Sequence, residues 1–330
     1  MLLESVSMAD PAPAVELDAQ YRAMREEAGL VERPQIAAIA VSGPDAAEFL
    51  QGQLTNDVEA LETGGGCYAA LLDRKGHVQA DMRVLRTGSG ELLLLTEAEA
   101  APGLVGRLGT YKVGREVEIA DRGGELSAVS LLGPRSAQLA GAEGLGPEHA
   151  HREVSPGAVP ARAVATDLGV DLLLEPGLVS ELQRALLAAG AELAGADAAE
   201  ILRIEMGRPR FGRELGPATM PAEAGIVERA IDFEKGCYIG QEPVARLHYR
   251  GRPNRTLRGL RLAGPAEPGA AISSAEKRLG EVGSACISPA LGPIALAIVR
   301  REAEPGDTVS VAGGGEAEVV ELPFRGQPDA

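Results

Sequence analysis

Residues 36–51 read IAAIAVSGPDAAEFLQ, an apolar run, a Gly-Pro break and then a segment whose Asp45 stands where a helix cap would. Outward from it follow a strand CYAALL (67–72), a turn DRKG (73–76) and a strand HVQADMRVLR (77–86). After a Gly-Ser-Gly turn come a strand ELLLLT (91–96), a helix ending near Tyr111 and a strand EVEIA (116–120). The order β-α-β-β-β-α-β is close to a split ferredoxin-like unit, which sets the fold class as α+β.

A second round begins with LSAVSLLG (126–133), a short helix from Pro134 and a Gly-, Pro- and His-rich loop from 141 to 160. It continues with ARAVATDLGVDLLLE (161–175) and the helix LVSELQRALLAAG (178–190). From Arg255 the pattern changes to short apolar strands separated by Gly and Pro, among them LRGLRL, IALAIV and DTVSV, which reads as a small all-β barrel. The expected organisation is a flexible tail over 1–20, a body over 21–248 in two subunits (about 21–122 and 123–248), and a C-terminal β-barrel over 251–330. The body–barrel boundary falls at RGRPN (250–254).

Composition limits the function classes. A net charge of -16 opposes broad capture of nucleic acid or of an anionic membrane, because phosphate binding needs a positive field. The first 20 residues lack the basic start and apolar run of a signal peptide, and no window reaches the length of a membrane span, so a cytoplasmic protein is expected. Cys67, Cys237 and Cys286 are an odd, dispersed set without a C-x-x-C pair, which argues against a disulfide framework, a zinc finger or a self-contained iron–sulfur cluster. No phosphate-binding glycine loop and no G-x-S-x-G elbow occurs. No metal site is expected; His149 and His151, the one close histidine pair, read as solvated loop residues.

Three places break the pattern. In the helix DAAEILRIEMG (197–207), at 3.6 residues per turn, Glu205 falls only about 40° from Ile201, in the middle of the apolar stripe. A carboxylate there needs donors, either from Arg208, Arg210 or Arg213 or from a ligand. The run RLHYRGRPNRTLRGLR (246–261) holds six arginines and one histidine without an acid, and reads either as an anion-attracting patch or as a solvated surface. In EKGCYIGQEPVAR (234–246), Gly236 and Gly240 permit turns or close approach, Lys235 beside Cys237 would favour its thiolate, and Gln241 and Glu242 add hydrogen-bonding groups. A free cysteine can equally be a small core residue.

KGCYIGQEPVAR resembles the signature of the YgfZ-type folate-binding proteins, relatives of the glycine-cleavage aminomethyltransferase. Further similarities lie in IAVSGPDAAEFLQGQLTNDV with its Thr55-Asn56-Asp57, in the hairpin LLDRKGHVQADMRV, in LRIEMGRPRFG and in the barrel strands. The resemblance implies a folate-binding body of ferredoxin-like units around a central cavity, closed by a β-barrel. It implies tetrahydrofolate or a derivative as cofactor, held by Glu205 at the pterin, with Asn56 and Tyr238 nearby and Arg246 toward the glutamate tail. It implies a working thiol at Cys237, at the cavity mouth, in an accessory factor for assembly or repair of iron–sulfur proteins, whose partners are those proteins or their assembly factors. In aminomethyltransferases the hairpin carries an acidic pair, of which this chain keeps Asp81 beside Ala80. Loss of one carboxylate argues against aminomethyl transfer, which wants a carboxylate near the reacting nitrogen. A folate-dependent aminomethyl or one-carbon transferase using Asp81, and a non-catalytic interaction module, are the alternatives.

Overall fold

The computed structural model describes residues 14–88, 90–275 and 277–324. The chain runs α1 (Ala14–Glu26), β1 (Gly29–Glu32), β2 (Ile36–Ser42), α2 (Ala46–Gln53), β3 (Gly66–Leu72), β4 (Val78–Gly88), β5 (Glu91–Glu97), α3 (Ala101–Tyr111) and β6 (Glu118–Asp121). It continues with β7 (Ser127–Leu132), α4 (Ser136–Leu139), β8 (His151–Val154), β9 (Ala161–Ala165), β10 (Gly169–Leu174), α5 (Val179–Ala188), β11 (Glu192–Leu193), α6 (Ala196–Glu205), α7 (Val227–Ala230) and α8 (Gln241–Arg250). The last strands are β12 (Arg255–Leu262), β13 (Ala271–Ser274), β14 (Lys277–Ser288), β15 (Gly292–Arg300), β16 (Thr308–Val311) and β17 (Gly315–Val320).

The first sheet, in the order β3-β4-β5-β2-β6, is antiparallel throughout. Its middle strand β5 is a run of leucines because both of its faces are covered. Leu92 and Leu94 face α2 and α3, while Leu93 and Leu95 meet Ala128, Val164 and Leu173 of the second sheet. That second sheet runs β11-β1-β7-β10-β9-β8, and α5 closes its far side through Leu182 and Leu186. The six C-terminal strands form a closed barrel, β12-β15-β14-β13-β16-β17, so the fold is α+β with an appended β-barrel.

Several local expectations need correcting. Residues 14–20 of the expected tail are the first turns of α1, and its residues 1–13 lie outside the described residues. Asp45 does not cap α2; its carboxylate accepts the Glu116 backbone N–H at 2.9 Å and ties the helix start to the approach of β6. The 141–160 loop contains the edge strand β8, and both of its histidines are buried. Finally, β1 does not join the first sheet, to which it is adjacent in sequence. It lies inside the second, parallel to β11 and antiparallel to β7.

Candidate functional site

Between the two sheets and α6 lies a hollow of about 510 Å³, walled by Arg83, Glu97 and Asp171 from the sheets, by Arg33 just after β1, and by Glu200 and Arg203 from α6. A smaller compartment of about 170 Å³ shares Arg33, Arg83 and Glu97 with it and reaches Tyr68, Asp81 and His149.

The strand period decides which face of β4 meets this space. Ala80, Met82 and Val84 point into the apolar core under α2 and α3, while Asp81 and Arg83 take the other face. Asp81 Oδ2 accepts the Tyr68 hydroxyl at 2.7 Å, and Asp81 Oδ1 is buried without a partner. Burial holds the Asp81 carboxyl above its usual range, against the pull of the Tyr68 hydrogen bond. Glu97 is likewise raised by burial, and the charge of Asp81 adds to the rise. The smaller compartment therefore brings together two carboxyls, Asp81 and Glu97, that burial raises. Position 80 could not have supplied the second one, because its side chain faces hydrocarbon. Ala80 thus says nothing against aminomethyl transfer, since its side chain lies in the apolar core. Glu97 was missed because nothing in ELLLLTE marks its last residue as inward-facing.

Glu205 is buried as expected, but its protein partners are not the arginines of the 208–213 segment. Tyr21 donates to both carboxylate oxygens at 2.9 and 3.1 Å, Ser288 donates to Oε1 at 2.5 Å, and Arg25 stands 3.9 Å away. Glu205 is not in the wall of the hollow. It joins α1, α6 and the barrel through these hydrogen bonds, outside the two compartments, where a grip on a heterocycle was expected. The arginines proposed for it serve the hollow instead: Arg208 binds Asp167 at 2.6 Å and Arg210 binds Glu200 at 3.0 Å. On the same helix it is Glu200, five residues earlier, that faces the hollow, paired with Arg203 at 2.7 Å.

The 234–246 motif is built around two structural residues. Lys235 is buried and its ammonium donates to the carbonyls of Gln51, Leu54 and Asn56 at 2.7, 2.7 and 2.9 Å, closing the C-terminal end of α2. Burial lowers its pKa to about 8. This ammonium is directed at the helix end rather than at the Cys237 thiol. Gly240, at φ +85°, starts α8 in the left-handed region, and an added Cβ would sit 2.4 Å from the Asp73 carbonyl. The motif thereby docks α8 on the β3–β4 hairpin, where Val244 is buried.

Around these anchors Gly236 and Cys237 are exposed, as is Glu242, and Gln241 is half-buried. None of the four, nor Cys237 in particular, lines the hollow, so the expected place of the thiol at its mouth is corrected to an outer surface loop. Tyr238, expected beside a cofactor, packs in an apolar cluster with Ala70, Leu72 and Val244. Asn56 donates to the carbonyls of Tyr68 at 2.8 Å and Arg229 at 3.2 Å and so positions a wall residue rather than lining the wall. Arg246 is exposed on α8 and turned away from the hollow, and Arg255 of the same run pairs with Glu223 at 2.9 Å. The arginine run therefore does not reach the hollow.

Cys67 and Cys286 are half-buried, and burial raises both thiols to about 12. Among the described residues no group of three His, Cys, Asp or Glu is placed to hold a metal ion, and no helix is long and apolar enough to cross a membrane.

A two-sheet body around a charged hollow, followed by a six-stranded barrel, defines the class. The GCVT N-terminal domain family matches residues 13–235, and the glycine cleavage T-protein C-terminal barrel domain matches 255–325. The chain belongs to the glycine cleavage T-protein family. It is 31% identical over 327 residues to an aminomethyltransferase of Rubrobacter xylanophilus, covering 95% of this chain and 87% of that one. It is 31% identical to an aminomethyltransferase of Streptomyces coelicolor, covering 92% and 88%. The crystal structure of the glycine cleavage system aminomethyltransferase T from Bartonella henselae superposes with a TM-score of 0.83 at 25% identity, over 94% of this chain and 89% of that one.

Proposed function

We propose that this protein is a tetrahydrofolate-dependent aminomethyl or one-carbon transferase whose reaction centre is the hollow together with its smaller compartment. The observation that carries the reading is Asp81, a carboxylate oriented by Tyr68 through one oxygen while the other is buried without a partner in the wall of the smaller compartment. Transfer of a methylene unit from an amine to folate requires loss of a proton at the attacking nitrogen and gain of one at the departing amine. Asp81, raised by burial, suits that proton traffic, and Glu97 places a second carboxyl close by. Arg33 and Arg213, which make no side-chain hydrogen bond among the described residues, suit the carboxylates of a folate tail better than Arg246 does. Folate when bound would supply the nitrogen that accepts the carbon. Calorimetric titration with tetrahydrofolate, followed by an assay of methylenetetrahydrofolate formed from an aminomethylated carrier, tests the reading. Saturable binding and turnover that falls about 100-fold or more in Asp81→Asn are expected; a protein that binds no folate, or an Asp81→Asn variant with full turnover, would refute it.

A second reading, support of iron–sulfur protein assembly or repair, is favoured by the exposed Cys237 thiol on an open glycine loop. It predicts that Cys237→Ala lowers the activity of iron–sulfur enzymes in cells while tetrahydrofolate binding is unchanged. Undiminished enzyme activity in that variant counts against it.

A further inference from the structure

The strand β3 lies at the edge of the first sheet, so the backbone groups on its outer side have no neighbouring strand to meet. Residues 55 and 56 take that place. The Thr55 N–H donates to the Ala70 carbonyl at 3.1 Å, the Thr55 hydroxyl oxygen accepts the Ala70 N–H at 2.9 Å, and Asn56 Nδ2 donates to the Tyr68 carbonyl at 2.8 Å. Asn56 Nδ2 also donates to the Arg229 carbonyl at 3.2 Å, while its Oδ1 accepts the Asp57 N–H at 2.9 Å. Both hydrogens of this amide are thus committed, and they fasten β3 to the end of α7.

The two fastened segments carry the side chains that orient Asp81. In the β3–β4 register Ala70 stands opposite Asp81 and Tyr68 opposite Arg83, so Tyr68 is a diagonal neighbour of Asp81. A diagonal contact across a strand pair needs a long side chain and a fixed strand edge, and here the Tyr68 hydroxyl meets Asp81 Oδ2 at 2.7 Å. From the other segment the Arg229 guanidinium lies 5.2 Å from the centre of the Tyr68 ring and binds Glu148 at 2.5 Å. The remaining groups that face Asp81 receive no hydrogen bond from Asn56. Arg83 is bound to Asp171 and Arg208 to Asp167, Arg33 and Glu97 share the wall, and burial lowers the pKa of His149 to about 3, so that its ring is neutral.

We propose that Asn56 is a positioning residue for the reaction centre: by pinning the free edge of β3 at the Tyr68 carbonyl to the Arg229 carbonyl, it sets the Tyr68 hydroxyl on Asp81 Oδ2. Asn56 lines neither compartment and acts through Tyr68. The anchorage continues outward, since the Asn56 carbonyl accepts the buried Lys235 ammonium at 2.9 Å, which ties this wall to the 234–246 motif. The effect on turnover rests on the transferase reading; the effect on the setting of Tyr68 does not.

The experiment compares the full-length protein with Asn56→Ala in the pH–rate profile of methylenetetrahydrofolate formation from an aminomethylated carrier. Asn56→Ala should lower kcat about 10-fold, the worth of one hydrogen bond, with tetrahydrofolate affinity unchanged. It should also move the acid limb upward, because Asp81 loses the hydrogen bond that favours its ionised form. In a Tyr68→Phe background the same substitution should move the limb no further. Ser288→Ala, a lesion outside both compartments, should leave the limb in place. Apart from turnover, the ring resonances of Tyr68, one of five tyrosines, are assigned in isotope-labelled protein by their loss in Tyr68→Phe. In Asn56→Ala they should shift while those of Tyr21 stay. Asn56→Ser is read in the same way should Asn56→Ala fail to fold. An unmoved limb, an undiminished shift in the Tyr68→Phe background, or unchanged Tyr68 resonances would overturn the proposal. If the unaltered protein shows no turnover, the transferase reading falls and the tyrosine resonances decide the inference; if it turns over and the Asn56 variant matches it, the inference falls alone.

Discussion

At Asp81 one carboxylate is divided between a fixed oxygen and a free one, and its acidity follows from that position. Burial raises its pKa, so the proton-accepting form is lost at a higher pH than for an ordinary aspartate. Activity that needs the carboxylate must rise with pH through that raised value, giving an acid limb displaced upward from the usual aspartate range. A pH–rate profile measures it, and Tyr68→Phe, which removes the hydrogen bond favouring the ionised form, should shift the limb further upward. Glu205 shows what one residue reveals in sequence and what it conceals. Its place on an apolar helix face was legible from the period of the helix alone. Its partners were not, because Tyr21 and Ser288 lie 184 and 83 positions away along the chain. Removing either hydroxyl, as Tyr21→Phe or Ser288→Ala, should destabilise the protein by about 1–3 kcal/mol. A double-mutant cycle by urea unfolding should give non-additive losses, since both hydroxyls serve the same carboxylate.

Among the elements, α2 and α8 depend on side chains outside themselves. Lys235 closes the end of α2 with three hydrogen bonds, and Lys235→Met would fill similar space while leaving three carbonyls short of a donor. A loss of about 3 kcal/mol or more is expected in urea unfolding. For α8 the sensitive point is Gly240→Ala, in which a methyl group must enter the space of the Asp73 carbonyl at a φ that disfavours any side chain. A lower melting temperature with unchanged secondary-structure content is the expected result. The sequence of elements from β2 to β6 was legible because each is strongly patterned and neighbours the next. The strand β8, HREV, escaped notice since two of its four residues are charged and exposed, leaving no alternation long enough to read. The helix α8 was hidden by its arginines, which resemble a surface run until the buried Val244 shows which side is packed.

For the whole molecule, the buried titrating groups predict how stability changes in alkali. The Cys67 and Cys286 thiols are raised from 9.0 to about 12, and the Tyr21 and Tyr238 hydroxyls from 10.0 to about 12. The folded state keeps these protons where the unfolded state has lost them, so each group's contribution is complete below its unfolded value and is lost as pH rises toward 12. Lys235 acts in the opposite sense between about 8 and 10.5, where the unfolded chain holds the extra proton. Four groups outweigh one, and the urea midpoint should fall steeply between pH 10 and 12, less so in a Cys67→Val/Cys286→Val variant. The body, the barrel and the hollow between the sheets were accessible to sequence reasoning at this scale. The division of the body into 21–122 and 123–248 did not foresee one strand. β1 is adjacent in sequence to the first sheet and yet pairs with β7, whose last residue is Leu132.

That strand sets an order of assembly. On the ribosome, residues 36–121 can complete their sheet as soon as they emerge, but β1 must wait unpaired until about a hundred further residues have been made. A gene fragment beginning at 123 would encode the second sheet with its second strand missing, leaving β7 and β11 with open edges on either side of the gap. Such a fragment should precipitate on expression and regain solubility when a peptide carrying Gly29–Glu32 is supplied in trans.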